Sequence, residues 1–223
     1  MNNQKIKHLV SSCSLVVLLS LLTGCDNTDY KTRIQEENDN INPNGNSAIC
    51  LRVGKIFNDM YPYTIHYLEG EINPKDPYDK IKQNNRLNLK LSLYAKEGLF
   101  TEELVGYDGD KPLYRYDLTD EGRKYLDKKW WGGTNFCFGK VVVERIQKVD
   151  HQWKDMPMVH FSYHMENVPN WLKNKDIYSL YKGNGSVQSM GEGKRLLTGI
   201  HYYSKKSDGT LRLRMSVSGH YVL

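Results

Sequence analysis

One apolar run near the amino terminus determines which part of this chain can form a folded core. Residues 9–22 are mostly leucine and valine, and Lys5 and Lys7 precede them. As a helix, this run spans about 20 Å, which is less than the ~30 Å hydrocarbon core of a bilayer. Its length and flanks are typical of a secretory signal peptide, and a transmembrane helix is the weaker alternative. We therefore expect the folded part to begin after this run and to lie outside the cytoplasm.

The end of the run carries a more specific motif. Leu22-Thr23-Gly24-Cys25 resembles the lipobox of bacterial membrane lipoproteins. The resemblance implies that residues 1–24 are a signal peptide that is removed, and that Cys25 is lipidated and acylated. Several acyl chains on one residue exceed the two signals that stable membrane anchoring requires. An ordinary signal peptide followed by an unrelated cysteine is the alternative.

The same resemblance implies a location. It places the chain in the bacterial cell envelope, held to the membrane through Cys25 and facing the periplasm. Asp26 follows the cysteine directly, and in enteric members of the family an aspartate at this position implies retention in the inner membrane.

The charge balance of the mature chain is mild. Removal of residues 1–24 takes away two lysines and no acids, which leaves 29 basic and 26 acidic residues, or 29 − 26 = +3. These charges are spread evenly along the sequence, so no strongly basic patch is indicated. We therefore expect no nucleic-acid partner.

The segment after the anchor is polar. Residues 25–47 are almost free of apolar side chains and rich in Asn, Asp, Glu and Gln. Such a segment buries too little surface to offset the entropy cost of ordering it. We predict a disordered polar tether between the anchor and the globular part.

Two cysteines remain in the mature chain beyond the anchor. Cys50 and Cys137 lie in similar sequence segments, ICLRVGKIF and FCFGKVVVERI. An exported compartment permits a disulfide, and two cysteines allow a single intramolecular pairing. No CxxC or HxxxH pair flanks them, so a metal site is disfavoured. We predict a structural disulfide, with two separate buried thiols as the alternative.

Residues 48–129 contain a local order of elements that can be predicted. Alternating leucines at 87, 89, 91 and 93 indicate a strand, but a helical stripe through Leu87, Leu91 and Tyr94 and the following Gly98 favour a helix. Strands at residues 100–107 and 112–118 follow around a turn, and Thr119 caps a short helix. This order resembles winged-helix domains, which implies a winged-helix-like region here.

Residues 130–223 read as β-rich. Four mostly alternating segments predict an antiparallel sheet, with a hairpin turn at Asp208-Gly209 and one short helix near Pro169. The glycine-rich stretches at 183–186 and 191–194 are expected to be mobile loops, because they lack the spacing of phosphate-binding loops. The fold class is therefore α+β, with a winged-helix-like N-terminal half packed with a small antiparallel β-sheet C-terminal half.

One strand carries side chains of the types that bind metal ions. Alternation in VHFSYHMEN places His160, Ser162, His164 and Glu166 on the same face. Neighbouring side chains on one face of a strand stand about 7 Å apart, so one metal ion needs a ligand from another strand as well. We favour a solvated strand face with no metal and no cofactor.

These observations favour a binding role over catalysis. No nucleophile motif is present, and the 16 tyrosines and 4 tryptophans suit either contact surfaces or a β-rich core. The leading hypothesis is a non-catalytic envelope module that binds a protein or a cell-wall component. The alternatives are an envelope metal-binding protein or enzyme that uses the His160/His164 strand, and an immunity or exclusion lipoprotein.

Overall fold

The chain forms a mixed α+β structure, as predicted. A computed structural model describes residues 25–127, 133–152, 156–207, 210–216 and 221–222. The elements in chain order are α1 (Cys25–Ile41), β1 (Ile49–Gly54), β2 (Tyr63–Thr64), α2 (Lys80–Lys96), β3 (Phe100–Asp108), β4 (Lys111–Leu118), α3 (Asp120–Tyr125), β5 (Thr134–Phe138), β6 (Lys140–Asp150), β7 (Met158–Glu166), α4 (Lys175–Ser179), α5 (Gly185–Gly191), β8 (Leu197–Lys205), β9 (Leu211–Ser216) and β10 (Tyr221–Val222). Short 3₁₀ turns occur at Asn58–Met60 and Asn170–Lys173.

The strands form three small sheets. Their orders are β10-β1-β5, β2-β4-β3 and β6-β7-β8-β9. All pairs are antiparallel except β1 with β10, which is parallel. One continuous hydrophobic core connects the elements of both halves of the chain. Within the part of the chain that the structure describes, no helix has the length and apolar content that a membrane span requires.

The choice of helix over strand for residues 80–96 is confirmed. The Asp79 side chain caps α2 by accepting a 2.7 Å hydrogen bond from the backbone N–H of Lys82. Leu91 and Tyr94 are fully buried, whereas Leu89, which only the strand pattern would bury, is 51% exposed. Gly98 adopts a φ of +77° and ends the helix, because few side chains tolerate that conformation.

The predicted hairpin and the helix cap after it are also confirmed. Strands β3 and β4 pair from Phe100 with Leu118 to Asp108 with Lys111. The Thr119 hydroxyl then accepts a 3.0 Å hydrogen bond from the N–H of Gly122 at the start of α3. Gly122 lies so close to the Leu99 carbonyl that a Cβ would be 2.1 Å from the oxygen. This contact fixes α3 against the start of the hairpin.

The predicted disordered tether is wrong for most of its length. Helix α1 occupies Cys25–Ile41 and packs along β6. Composition pointed to disorder because few apolar residues are present, but Tyr30 and Ile34 are both buried. The Gln35 carboxamide adds two hydrogen bonds to β6, to the Val141 carbonyl at 3.0 Å and from the Val143 N–H at 2.8 Å. Polar side chains therefore order this helix by pairing with backbone groups of the sheet.

The four-stranded antiparallel sheet of the C-terminal half is confirmed, with two corrections to its connections. The predicted single short helix is replaced by the 3₁₀ turn Asn170–Lys173 and by helices α4 and α5. The first predicted loop, 183–186, contains the start of α5, because the Asn184 side chain caps it by accepting from the Val187 N–H at 2.9 Å. The Asp208-Gly209 turn lies outside the described residues, although β8 and β9 pair on either side of it.

The predicted disulfide is present. Cys50 and Cys137 are direct partners in the β1–β5 ladder, and their sulfur atoms are bonded at 2.03 Å. The bond joins two elements that are 87 residues apart in the sequence. It therefore links the first strand of the N-terminal half to the first strand of the C-terminal half.

Candidate functional site

The histidine strand does not form a shared ligand site. His160 and His164 both lie on β7, on the face opposite the buried Phe161 and Tyr163. They are four positions apart, which corresponds to about 13 Å along a strand. Ser162 lies between them, and its buried hydroxyl has no hydrogen-bond partner among the described residues. One metal ion cannot contact both imidazoles across this distance.

His164 pairs with a carboxylate from the neighbouring strand. Its Nδ1 lies 2.5 Å from Glu144 Oε1, and its Nε2 lies 3.9 Å from Glu166 Oε1. Glu144 occupies a β-bulge, because the β6–β7 register shifts between Val143 and Arg145. A bulge re-aims one side chain of a strand. Here the bulged residue points its carboxylate to the imidazole.

This pair lies at the edge of an open cleft of about 470 Å³. The apolar part of its lining comes from Met165, Val168, Met190 and Leu196. Three cations complete the lining: Lys173, Lys194 and Arg195. The cleft therefore combines an apolar surface with excess positive charge, and its volume is within the range of sites for small ligands or peptide side chains.

The three cations of the cleft differ in whether they have a partner within the protein. Lys194 Nζ pairs with Glu192 at 3.1 Å, and Lys173 Nζ donates to Asn170 Oδ1 at 3.0 Å. Arg195 is exposed and has no ion pair within the described ranges. A negatively charged group that enters the cleft can therefore take the Arg195 guanidinium without displacing an internal partner.

The wall formed by α5 is held firmly. Met190 is almost completely buried at the base of the cleft. Gln188 donates a side-chain hydrogen bond to the Tyr178 carbonyl on α4. Gly191 packs so closely on the Tyr178 ring that a Cβ would lie 2.2 Å from it. The packing of α5 on α4 thus fixes the side of the cleft that Met190 forms.

The other predicted site residues lie elsewhere. Cys25 is the first residue of α1, and its side chain lies outside the described part of the chain. Cys50, Cys137 and Asp127 come within 4.8 Å of one another, but the two sulfur atoms are joined to each other. A metal ion binds cysteine as a thiolate, and a sulfur atom in a disulfide is not a thiolate. Cys50 and Cys137 therefore form a structural bond and not a metal site.

The tyrosines mostly fill the core, which was one of the two roles considered for them. Five are almost fully buried: Tyr94, Tyr116, Tyr163, Tyr181 and Tyr203. Others remain on the surface, and Tyr107 at the tip of the β3–β4 hairpin is 65% exposed.

Sequence reasoning missed a buried lysine. Lys90 of α2 is only 5% exposed, and its ammonium lies 4.7 Å from the centre of the Tyr181 ring. Burial, with smaller contributions from the charges of Arg86 and Arg52, lowers its pKa to about 7. The helical stripe of α2 could have indicated that position 90 adjoins the buried Leu91, but not that the amine is enclosed. It lines no part of the cleft.

Comparison with known proteins finds no family model, no curated protein and no solved structure that matches this chain.

Proposed function

We propose that this chain is a lipid-anchored lipoprotein of the bacterial cell envelope, and that it is a non-catalytic module that binds a periplasmic partner through the His164 cleft. The partner is an envelope protein or a cell-wall component that presents an apolar group next to a negative one. The observation that carries the binding role is the cleft, in which an apolar surface adjoins Arg195, a cation with no ion pair among the described residues. The anchor rests on the resemblance of Leu22-Thr23-Gly24-Cys25 to a lipobox.

The anchor is tested by changing Cys25 to Ser in the full-length chain. We expect the variant to lose lipid attachment and cleavage before residue 25, because the thiol is the acceptor of the lipid. Mass spectrometry of protein from envelope fractions measures both. A processed, lipid-labelled Cys25→Ser protein would show that the lipoprotein assignment is wrong.

The cleft is tested by site-specific photo-crosslinking in living cells. Leu196 and Leu89 are matched positions, because they are 52% and 51% exposed and only Leu196 lines the cleft. We expect a photoreactive residue at 196, and not at 89, to capture one defined envelope component. Arg195→Glu should abolish that crosslink by reversing the charge at the cleft. Equal capture at both positions, or capture that survives Arg195→Glu, would refute binding in the cleft.

The His164–Glu144 pair supports a second candidate, an envelope enzyme. In a catalytic triad, a histidine acts as the general base and a carboxylate orients it. The His164–Glu144 pair matches these two members. The residues that line the cleft include no serine, threonine or cysteine that could serve as the nucleophile. A His-dependent metal site is the other form of this candidate, and zinc content of the purified protein tests it: stoichiometric zinc that is lost in His164→Ala would favour it over simple binding.

We also propose that residues 80–126 are a winged-helix-like scaffold that does not read DNA. The local order of α2, the β3–β4 hairpin and α3 supports the likeness. Two basic side chains of α2 bind carbonyl groups of the protein: Arg86 donates to the Leu180 carbonyl and Lys90 to the Arg52 carbonyl. Phosphate contacts need accessible cations, and Lys90, which is 5% exposed, offers none to a duplex.

The hairpin that would be the wing is acidic. Glu103 pairs with Arg115 at 2.7 Å, and Glu102 accepts a hydrogen bond from the Tyr116 hydroxyl at 2.7 Å. Carboxylates there would repel the phosphate backbone. We expect the mature chain to show no shift of random duplex DNA near physiological salt. A salt-dependent shift at micromolar protein or below would overturn the scaffold proposal.

A further inference from the structure

Helix α1 connects the lipidation candidate directly to the folded core. It begins at Cys25, and by Tyr30 it already packs on the sheet, with the Tyr30 ring 5.9 Å from the Tyr203 ring. A helix rises 1.5 Å per residue, so Cys25 lies only about 8 Å along the axis from Tyr30. Within the described residues, α1 is continuous from Cys25 to the part that packs on the sheet. A lipid on Cys25 would therefore hold the folded core against the bilayer.

The orientation of α1 determines which end of the molecule is near the anchor. Arg33, at the middle of the helix, donates a hydrogen bond to the Leu211 carbonyl at the start of β9. Asn42, just after the helix, donates to the Gly139 carbonyl before β6 at 2.9 Å. The second half of the helix thus runs from the start of β9 toward the opposite end of the four-stranded sheet, about 14 Å from Arg33 to Asn42.

The end near the anchor is rich in cations. Besides Arg33, which pairs with Glu37, it carries five exposed basic residues, which lie on both faces of the sheet: Lys31, Lys205, Lys206, Arg212 and Arg214. Three acids adjoin them in the sequence, Asp26, Asp29 and Asp208, and Asp150 at the same end of the sheet is neutralised by Lys148 at 2.8 Å. The balance is 5 − 3 = +2. The charge is small in total, but it lies where a lipidated Cys25 brings the protein to the headgroups.

We propose that this basic end, formed by the β8–β9 hairpin and Lys31, is a docking surface for anionic phospholipid headgroups, and that it fixes the orientation of the core on the membrane. The anchor supplies the high local concentration, and the cations supply the attraction, which acts within about one Debye length, or ~8 Å, of the surface. The proposal rests on the lipid anchor of the proposed function for its setting, but the surface itself does not require the lipid.

The orientation has a consequence for the cleft. Leu196, Met165 and Lys173 belong to the end of the sheet at which α1 finishes, because Leu197 pairs with Tyr163 and Lys140 with Glu166 there. The cleft therefore opens at the end away from the hairpin. A core docked on its basic end presents the cleft to the periplasm and not to the lipid.

Binding of vesicles by the mature chain with Cys25→Ser tests the surface without the anchor. At low ionic strength we expect binding to phosphatidylcholine vesicles that contain phosphatidylglycerol, and none to pure phosphatidylcholine. Loss of one basic residue near an anionic surface weakens binding about fivefold, so Lys205→Glu with Lys206→Glu should weaken it by at least ~25-fold. Equal binding to both kinds of vesicle, or a double variant that binds like the parent, would overturn the proposal.

A charge-matched control separates location from total charge. Lys80→Glu with Lys82→Glu makes the same change of charge on α2, which packs on β1, β3 and α4. We expect this variant to bind anionic vesicles within about twofold of the parent. An equal loss in both double variants would mean that net charge and not the basic end drives binding.

Failure of the surface and failure of the anchor give different results. Absence of lipid on Cys25 in the full-length chain refutes the lipid anchor. It does not change the result of the vesicle test, because that test uses the chain without the lipid. A lipidated chain whose Cys25→Ser form does not distinguish the two kinds of vesicle refutes the docking surface and leaves the anchor in place.

Discussion

The Tyr203 hydroxyl donates a 2.8 Å hydrogen bond to Glu37 Oε2, and this bond joins helix α1 to strand β8. Arg33 pairs with the other carboxylate oxygen at 3.2 Å, and His201 Nδ1 lies 3.6 Å from Oε2. Burial raises the pKa of Glu37, but the hydrogen bonds from His201 and Tyr203 and the charge of Arg33 together hold it below the ordinary value of 4.5. The carboxylate thus favours the docked position of α1 when it is ionised.

Glu37→Gln should reduce the stability of the protein in a pH-dependent way. A carboxyl whose pKa is lower in the folded state contributes stability that is present above pH 4.5 and is lost as the pH falls through the lowered value. We expect the variant to lose about 1–3 kcal/mol of unfolding free energy at neutral pH, and the difference from the parent to shrink in acid. Urea unfolding at a series of pH values measures it. Glu36→Gln, at the exposed neighbouring position, is the control and should follow the parent curve.

Gln35 acts on the open edge of β6 in place of a further strand. Its carboxamide both donates to the Val141 carbonyl and accepts from the Val143 N–H. Gln35→Ala should leave these backbone groups without a protein partner, at a cost of about 1–3 kcal/mol. Hydrogen exchange of the Val143 amide should become faster. Gln35→Glu retains the acceptor and should protect that amide better than Ala does; identical exchange in all three proteins would contradict the role of Gln35.

The Cys50–Cys137 bond closes a long loop. For a sequence separation of 87 residues, the chain-entropy model gives a stabilisation of about 4–5 kcal/mol. Both thiols should resist alkylation in the unfolded, unreduced chain and react after dithiothreitol is added. Reduction should lower the unfolding free energy of the parent, whereas the Cys50→Ala, Cys137→Ala double variant should not respond to the reductant. Full alkylation without reductant would show that the bond is absent from the protein.

The parts of the fold that depend on local signals could be predicted from the sequence. Asp79 and Thr119 cap their helices through bonds to residues three positions away, and the helical stripe of α2 correctly outweighed its alternating leucines. The pairing of Cys50 with Cys137 followed from there being two cysteines after Cys25. Each of these inferences needs only neighbouring residues or a count.

The parts that depend on distant partners could not be predicted. The Gln35 carboxamide reaches Val143, 108 residues further along the chain, so the polar composition of α1 gave no sign that its side chains have sheet atoms to bind. The site shows the same limit. His164 was found by strand alternation, but Glu144 reaches it only because of a bulge in β6, and no pattern in the sequence marks that bulge.

Lys90 gives a pH dependence of the same sign as that of Glu37, but in a window that begins near neutral pH. Its ammonium donates to the Arg52 carbonyl and lies over the Tyr181 ring. Burial, followed by the charges of Arg86 and Arg52, lowers the pKa to about 7, from an ordinary value of 10.5. Between these values the unfolded chain binds one more proton than the folded chain. The free energy of unfolding therefore rises with pH in this window. The contribution of Lys90 to it is lowest below pH 7.

Lys90→Met should therefore stabilise the protein at neutral pH. Methionine fills the same channel without a charge, and the Tyr181 hydroxyl, 3.0 Å from the Arg52 oxygen, still pairs with that carbonyl. We expect the variant to gain at least about 1 kcal/mol at neutral pH and the gain to fall as the pH approaches 10. Unfolding free energies from urea titrations over this range measure it, with Lys82→Met at an exposed position of the same helix as the control. Parallel curves for the parent and Lys90→Met would mean that Lys90 keeps an ordinary pKa in the folded state, and that its ammonium has access to water which the packing around Tyr181 does not suggest.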